Sequence, residues 1–175
     1  WVTGLQPTKL SAQLSSFEPG RELDDYGTAI LRCVGGGQFS VTASQISHGR
    51  ENDLRLEVDG TLASAEWHQE DPNKLIVRKN GEPMRIYSRD PNVPYVMPIA
   101  KSSMRLPGGH PEAFFEAFAN IYAAAFDDMV IRATGGTVPR TARLYPGVGD
   151  GLEGMKFIEA SVASSGSDGA WVELS

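Results

Sequence analysis

The chain has 175 residues, 41% apolar and 22% charged, with a formal net charge of −6. That length suits a single domain over 1–175 that buries its core without disulfides or metals. The acidic balance argues against a nucleic-acid partner, whose phosphates need clustered Lys and Arg. No run of about 18 apolar residues is present, so no membrane partner is expected. The single cysteine, Cys33, excludes an internal disulfide and fits a reducing cytoplasm. It stands in the apolar run from Ala29 to Val34 and reads as a core residue.

The first half reads as strands. Lys9 to Phe17 alternates, with Leu10, Ala12 and Leu14 on one face. Ala29 to Val34 is a second strand, closed by Gly35-Gly36-Gly37. Gln38 to Ile46 is a third, with Phe39, Val41 and Ala43 on one side. Leu54 to Val58 has the clearest period of two, and Asp59-Gly60 then signals a hairpin into Leu62 to His68. Leu75 to Lys79 and Met84 to Tyr87 follow, joined by Asn80-Gly81.

From Asp90 to Gly109 the chain is irregular and rich in Pro. A helix is predicted from Pro111, with Phe114, Phe118, Ile121, Tyr122 and Ala125 in one stripe. After a loop over 134–148, a second helix is predicted from Asp150, with Glu153 completing a capping box. Met155, Ile158 and Val162 mark its expected buried stripe. Ala170 to Leu174 reads as a short last strand. Strands first and helices later predict an α+β fold, an open and mostly antiparallel sheet with helices packed on one face. The other sheet face is then free to meet a second copy of the chain.

Gly149-Asp150-Gly151-Leu152-Glu153-Gly154 matches G-x-G-x-x-G, the spacing of a dinucleotide fingerprint. Asp150 and Glu153 would stand where the phosphates belong, and no second crossover strand follows, so the segment reads as a capped helix. The strand end and loop from Ala43 to Asn52 bring together the amide of Gln45, the imidazole of His48 and the guanidinium of Arg50. Such a set can read sugar hydroxyls, or it can satisfy its own backbone. His110, in Gly108-Gly109-His110-Pro111-Glu112, stands where a helix is expected to begin. It reads either as a hydrogen-bonding group near a substrate carbonyl or as a helix cap. Trp67 shares a face with Ala63 and Ala65 and reads as a core anchor, and His68 as a surface or interface residue. The three histidines are far apart, so no metal site is expected.

Four segments in order resemble the C-terminal domain of the glucose–fructose oxidoreductase/inositol dehydrogenase (Gfo/Idh/MocA) family. They are Ala43 to Arg55, Val58 to Trp67, Leu106 to Phe114, and Asp150 to Ala160. Trp1-Val2-Thr3-Gly4 with Pro7 is also similar to the family's exit from its inter-domain helix. The resemblance implies a parent enzyme that moves a hydride between NAD or NADP and a sugar, cyclitol or related alcohol. It implies homo-oligomers, dimers or tetramers, built through the exposed sheet face. It also implies an N-terminal Rossmann partner domain upstream of Trp1, carrying the Gly-rich loop, the Lys of E-K-P and the His of D-x-x-x-H. On that reading this chain has no catalytic group of its own and binds no cofactor. Gln45, His48, Arg50 and His110 would line the substrate side of the cleft. A free-standing sugar-binding module and a structural oligomerisation module are the alternatives.

Overall fold

The computed structural model describes residues 2–139 and 143–174. Trp1, part of the exit-like segment, lies outside the described residues, as do residues 140–142 of the loop expected over 134–148. The chain divides into two compact units, one of residues 1–50 with 146–175 and the other of residues 51–145.

The first unit is built on strands β1 (Pro7–Ser15), β2 (Tyr26–Cys33) and β3 (Gln38–Ser44), with a two-residue strand, β8 (Val172–Glu173), closing the far edge. Their order is β3-β2-β1-β8, and every pair is antiparallel. Register puts Leu10 opposite Leu31 and Ala12 opposite Ala29, so the predicted face of β1 does meet its match on β2. Leu10 and Leu31 are fully buried, which stabilises the unit by about 1.5–3 kcal/mol for each side chain. Cys33 is buried on the same face, as a core residue.

Helix α3 (Val148–Ser165) lies across this core. It starts two residues before Asp150. The N-cap is Gly147, and the Asp150 carboxylate, now in the first turn, accepts from the Gly147 N–H at 2.7 Å. The face expected to be buried also differs. Met155, Ile158 and Val162 are about half exposed, and the sheet receives Phe157, Ala160, Ser161 and Ser164. Small residues let the helix backbone approach the sheet, and two hydroxyls supply what an apolar stripe could not. Because β8 pairs only with Lys9 and Leu10, the rest of that β1 edge has no strand partner. Ser164 Oγ accepts from the Ala12 N–H and Ser165 Oγ from the Leu14 N–H, both at 2.9 Å. Ser164 also donates to the Ala170 carbonyl at 2.6 Å. The end of α3 thus replaces a missing strand, which buried backbone groups require.

The second unit is a four-strand meander, β4 (Arg55–Asp59), β5 (Ala63–His68), β6 (Lys74–Lys79) and β7 (Arg85–Ser88), paired in that order. Its hairpins fall where Asp59-Gly60 and Asn80-Gly81 place them, and Gly81 takes the positive φ of 76° that its turn needs. Leu56 opposite Trp67, and Val58 beside Ala65 and Val77, make one apolar face. Trp67 also donates from its indole N–H to the Pro72 carbonyl at 3.0 Å. The opposite face sets charged groups beside Ile76 and Ile86. Glu66 bridges His68 at 2.5 Å and Arg78 at 2.7 Å, and these two hydrogen bonds hold its carboxyl below the usual range.

After a one-turn helix α1 (Pro98–Lys101), helix α2 spans Phe114–Ala133. It begins three residues later than Pro111 suggests. Ala113 is the N-cap, and its N–H is taken by the Glu116 carboxylate at 2.9 Å. The rings of Phe114, Phe118 and Tyr122 stack along the helix at 4.7 and 6.5 Å. The α+β class with antiparallel, open sheets is as the sequence indicates, and the strands divide between two sheets of four. Among the described residues no helix is long and apolar enough to cross a membrane, and no group of His, Cys, Asp and Glu is placed to hold a metal ion.

Candidate functional site

In the first unit, α3 covers β1 and β2 and leaves the inner face of β3 open. The result is a groove of about 320 Å³. Its floor is apolar, with Leu14, Ala29 and Val41 facing Phe157 and Val162, and Gln45 stands at its rim. Gln45 is held by its backbone, whose N–H donates to the Asp25 carbonyl at 2.8 Å, and the residue is exposed. Asp25 is buried and anchors this corner. Its two carboxylate oxygens accept from the Phe17 and Glu18 N–H groups, both at 2.9 Å. These bonds, helped by Arg21, hold its carboxyl below the usual value. The carboxylate is therefore committed to shaping the β1–β2 loop.

His48 and Arg50 follow in the turn after β3, outside the groove lining. The His48 ring lies 3.0 Å from the Ile46 carbonyl through Nδ1, and Gly49 turns the chain with φ of 81°. Local bonding thus accounts for one ring nitrogen of this exposed residue. Gln45, His48 and Arg50 share one loop of the first unit, whereas His110 belongs to the second.

His110 does not cap a helix. It precedes the α2 N-cap, Ala113, by three residues. Its ring is exposed, with Nδ1 3.4 Å from the Gly108 carbonyl. Its backbone, by contrast, is fixed by a buried cluster with no signature in the sequence. Arg89, at the end of β7, donates from Nε to Asn73 Oδ1 and from Nη1 to the Leu106 carbonyl, both at 2.8 Å. Its Nη2 reaches the carbonyls of Pro107, at 3.4 Å, and of His110. Glu112 is buried, and its Oε2 pairs with Arg89 Nη1 at 2.5 Å. Its Oε1 accepts from the Arg105 and Leu106 N–H groups at 2.5 and 2.9 Å. Asn73 completes the set by accepting the Glu112 N–H at 3.1 Å. Gly108 packs so closely on Asp90 that a Cβ would meet its carboxylate at 2.5 Å.

A second polar cluster surrounds Asp128, which is buried on α2. It accepts from the Tyr145 hydroxyl and from Arg132 Nε at 2.9 Å, with Arg143 at 3.8 Å. The hydrogen bond with Tyr145 lowers the Asp128 carboxyl and raises the phenol. This arrangement ties the second half of α2 to residues 143–145.

The first residues match a family model described as the GFO/IDH/MocA C-terminal domain, over residues 1–66. Over residues 1–66 this chain is similar to GFO/IDH/MocA C-terminal domains. An uncharacterized oxidoreductase of Bacillus subtilis is 28% identical over 152 residues, which are 87% of this chain and 38% of that protein. The crystal structure of an oxidoreductase from Sinorhizobium meliloti is 38% identical with a TM-score of 0.88, covering 98% of this chain and 47% of that one. An inositol dehydrogenase homolog from Azotobacter vinelandii, complexed with NADH and myo-inositol, is 28% identical with a TM-score of 0.89, covering 98% and 45%. The chain thus spans less than half the length of each.

The G-x-G-x-x-G spacing of residues 149–154 does not form a dinucleotide-binding turn. Gly149, Gly151 and Gly154 lie inside α3, so the G-x-G-x-x-G spacing forms helix and no phosphate-binding turn. At the start of the helix the N-cap N–H of Gly147 already donates to the Asp150 carboxylate.

Proposed function

We propose that this chain is the substrate-side and oligomerisation part of an NAD(P)-dependent oxidoreductase acting on a sugar, cyclitol or related alcohol. The observation that carries the reading is the likeness, over 98% of the chain, to an inositol dehydrogenase homolog complexed with NADH and myo-inositol. The nicotinamide cofactor, NAD or NADP, would be held by a Rossmann domain elsewhere in the parent protein, which would also supply the catalytic groups. The residues of this chain bind and orient.

Gln45, His48, Arg50 and His110 are the proposed substrate contacts. A polyol presents hydroxyls that both donate and accept. Gln offers an acceptor and two donors, neutral His one of each, and Arg five donors. His110 holds a substrate hydroxyl and does not take the reacting proton. The groove rim at Gln45 and the pinned loop at His110 support this assignment, each within its own unit. The open sheet face of the first unit, where Ile30 is 52% exposed, is the proposed contact between copies of the chain.

The test is reduction of NAD or NADP by the full-length protein, followed by absorbance, with myo-inositol and simple hexoses as probes. His110→Ala is expected to lower kcat/KM for the polyol by about 10- to 100-fold, the loss of one buried hydrogen bond worth roughly 1–3 kcal/mol. Cofactor affinity should not change. A value within about twofold of the parent removes His110 from the site, since the weakest such bond predicts more. Absence of turnover with every polyol overturns the functional reading.

A further inference from the structure

We propose that Arg89 and Asn73 are positioning residues that set where the His110 imidazole stands, an inference that rests on the substrate role of His110 given above. Residues 105–112 form neither helix nor strand, so no ladder supplies partners for their backbone groups. A loop of this kind ordinarily samples many positions, and a side chain on it makes a poor binding group because ordering it costs free energy at each encounter.

Here the ordering is done in advance. The Arg89 side chain is only 11% exposed and that of Glu112 only 5%. One guanidinium donates to the carbonyls of Leu106, Pro107 and His110, so three points of the loop are tied to one rigid plane. Glu112 holds the two N–H groups on the entering side of the loop and neutralises Arg89. Asn73, in the β5–β6 turn, fixes the guanidinium through Nε and the Glu112 backbone through the same oxygen. The Arg89 N–H also donates to the Asn73 carbonyl at 2.9 Å, which locks the two anchors together. All of these bonds end on backbone or on one another. The His110 imidazole, on the same loop, is exposed.

Lysine cannot reproduce this. It keeps the charge opposite Glu112 but replaces a planar fork by a single point of donation. Arg89→Lys should therefore leave the ion pair and release the carbonyls of Pro107 and His110. Asn73→Ala removes the shared acceptor and leaves both charges in place.

The experiment uses the full-length protein with NAD+ and myo-inositol, or whichever probe polyol turns over fastest. Arg89→Lys and Asn73→Ala are expected to raise KM for the polyol by about 10- to 100-fold, the effect of a binding group displaced by around an ångström. The kcat at saturation and the KM for NAD+ should stay near parent values. In the double variant Arg89→Lys/His110→Ala, the loss should be no larger than with His110→Ala alone, because Arg89 acts through His110. If His110→Ala raises KM but the two anchor variants leave it unchanged, or add to it in the double variant, the positioning inference is wrong and the His110 reading stands. If His110→Ala has no effect, or no polyol is turned over, both fall. Failure of both anchor variants to fold would assign the cluster to stability and overturn the inference.

Discussion

Ser164→Ala is the sharpest probe of how this fold is held together. The side chain is completely buried and stands between a β1 edge and the chain after α3. Its oxygen accepts from Ala12 and donates to Ala170, two groups that no strand serves. Alanine removes both bonds and leaves the Ala12 N–H buried without a partner, a cost of about 1–3 kcal/mol, with about 1 kcal/mol more for the Ala170 carbonyl. Against this, alanine is the better helix former by about 0.5 kcal/mol. Hydrogen-bond loss therefore wins, and the net change is roughly 2–3 kcal/mol destabilising. Urea unfolding followed by circular dichroism would measure it, as a lowered midpoint with an unchanged slope. Ser165→Ala, at a partly buried site serving Leu14, should rank below it. A Ser164→Ala midpoint equal to the parent's would refute the argument that α3 replaces a missing strand.

Three further outcomes are expected. Asp25 has a folded pKa below its unfolded value of about 3.9, so its contribution is complete above that value and is lost as pH falls through the folded pKa. Asp25→Asn should accordingly flatten the fall in stability on the acid side of the unfolded value in acid titrations, and an unchanged acid limb would contradict the assignment. Gly109 has φ of 83° with open space around its Cα, so Gly109→Ala should cost about 1–2 kcal/mol through backbone strain alone; chemical unfolding of the purified variant would check it. Calorimetric titration of this chain with NADH should give no heat of binding, and micromolar affinity would refute the helical reading of residues 149–154.

The strands and most of their apolar faces were legible because period-two alternation is local, whereas their division between two sheets was not. Leu10 and Ala12 point inward whatever they meet, and Asn80-Gly81 makes a turn from its own dihedrals. The same locality explains what the sequence misplaced. Pro111 is a good first-turn residue, yet α2 begins after it, because Arg89 and Glu112 engage the backbone of residues 105–112 in bonds that a helix would break. Met155, Ile158 and Val162 have the spacing of a buried stripe, yet the sheet takes Ala160, Ser161 and Ser164.

Of the proposed site, the sequence offered the polar groups: Gln45, His48 and Arg50 in one loop, and His110 in another. It offered nothing of Asn73 and Arg89 as anchors, since an asparagine in a turn and an arginine after a strand are ordinary in both places. Residue types and their periods determine which faces are apolar and where the chain turns. Which hydroxyl meets which strand edge depends on segments as far apart as Ala12 and Ser164, 152 residues distant. Such a bond exists only once the sheet has brought both ends together, and so tertiary structure alone decided it.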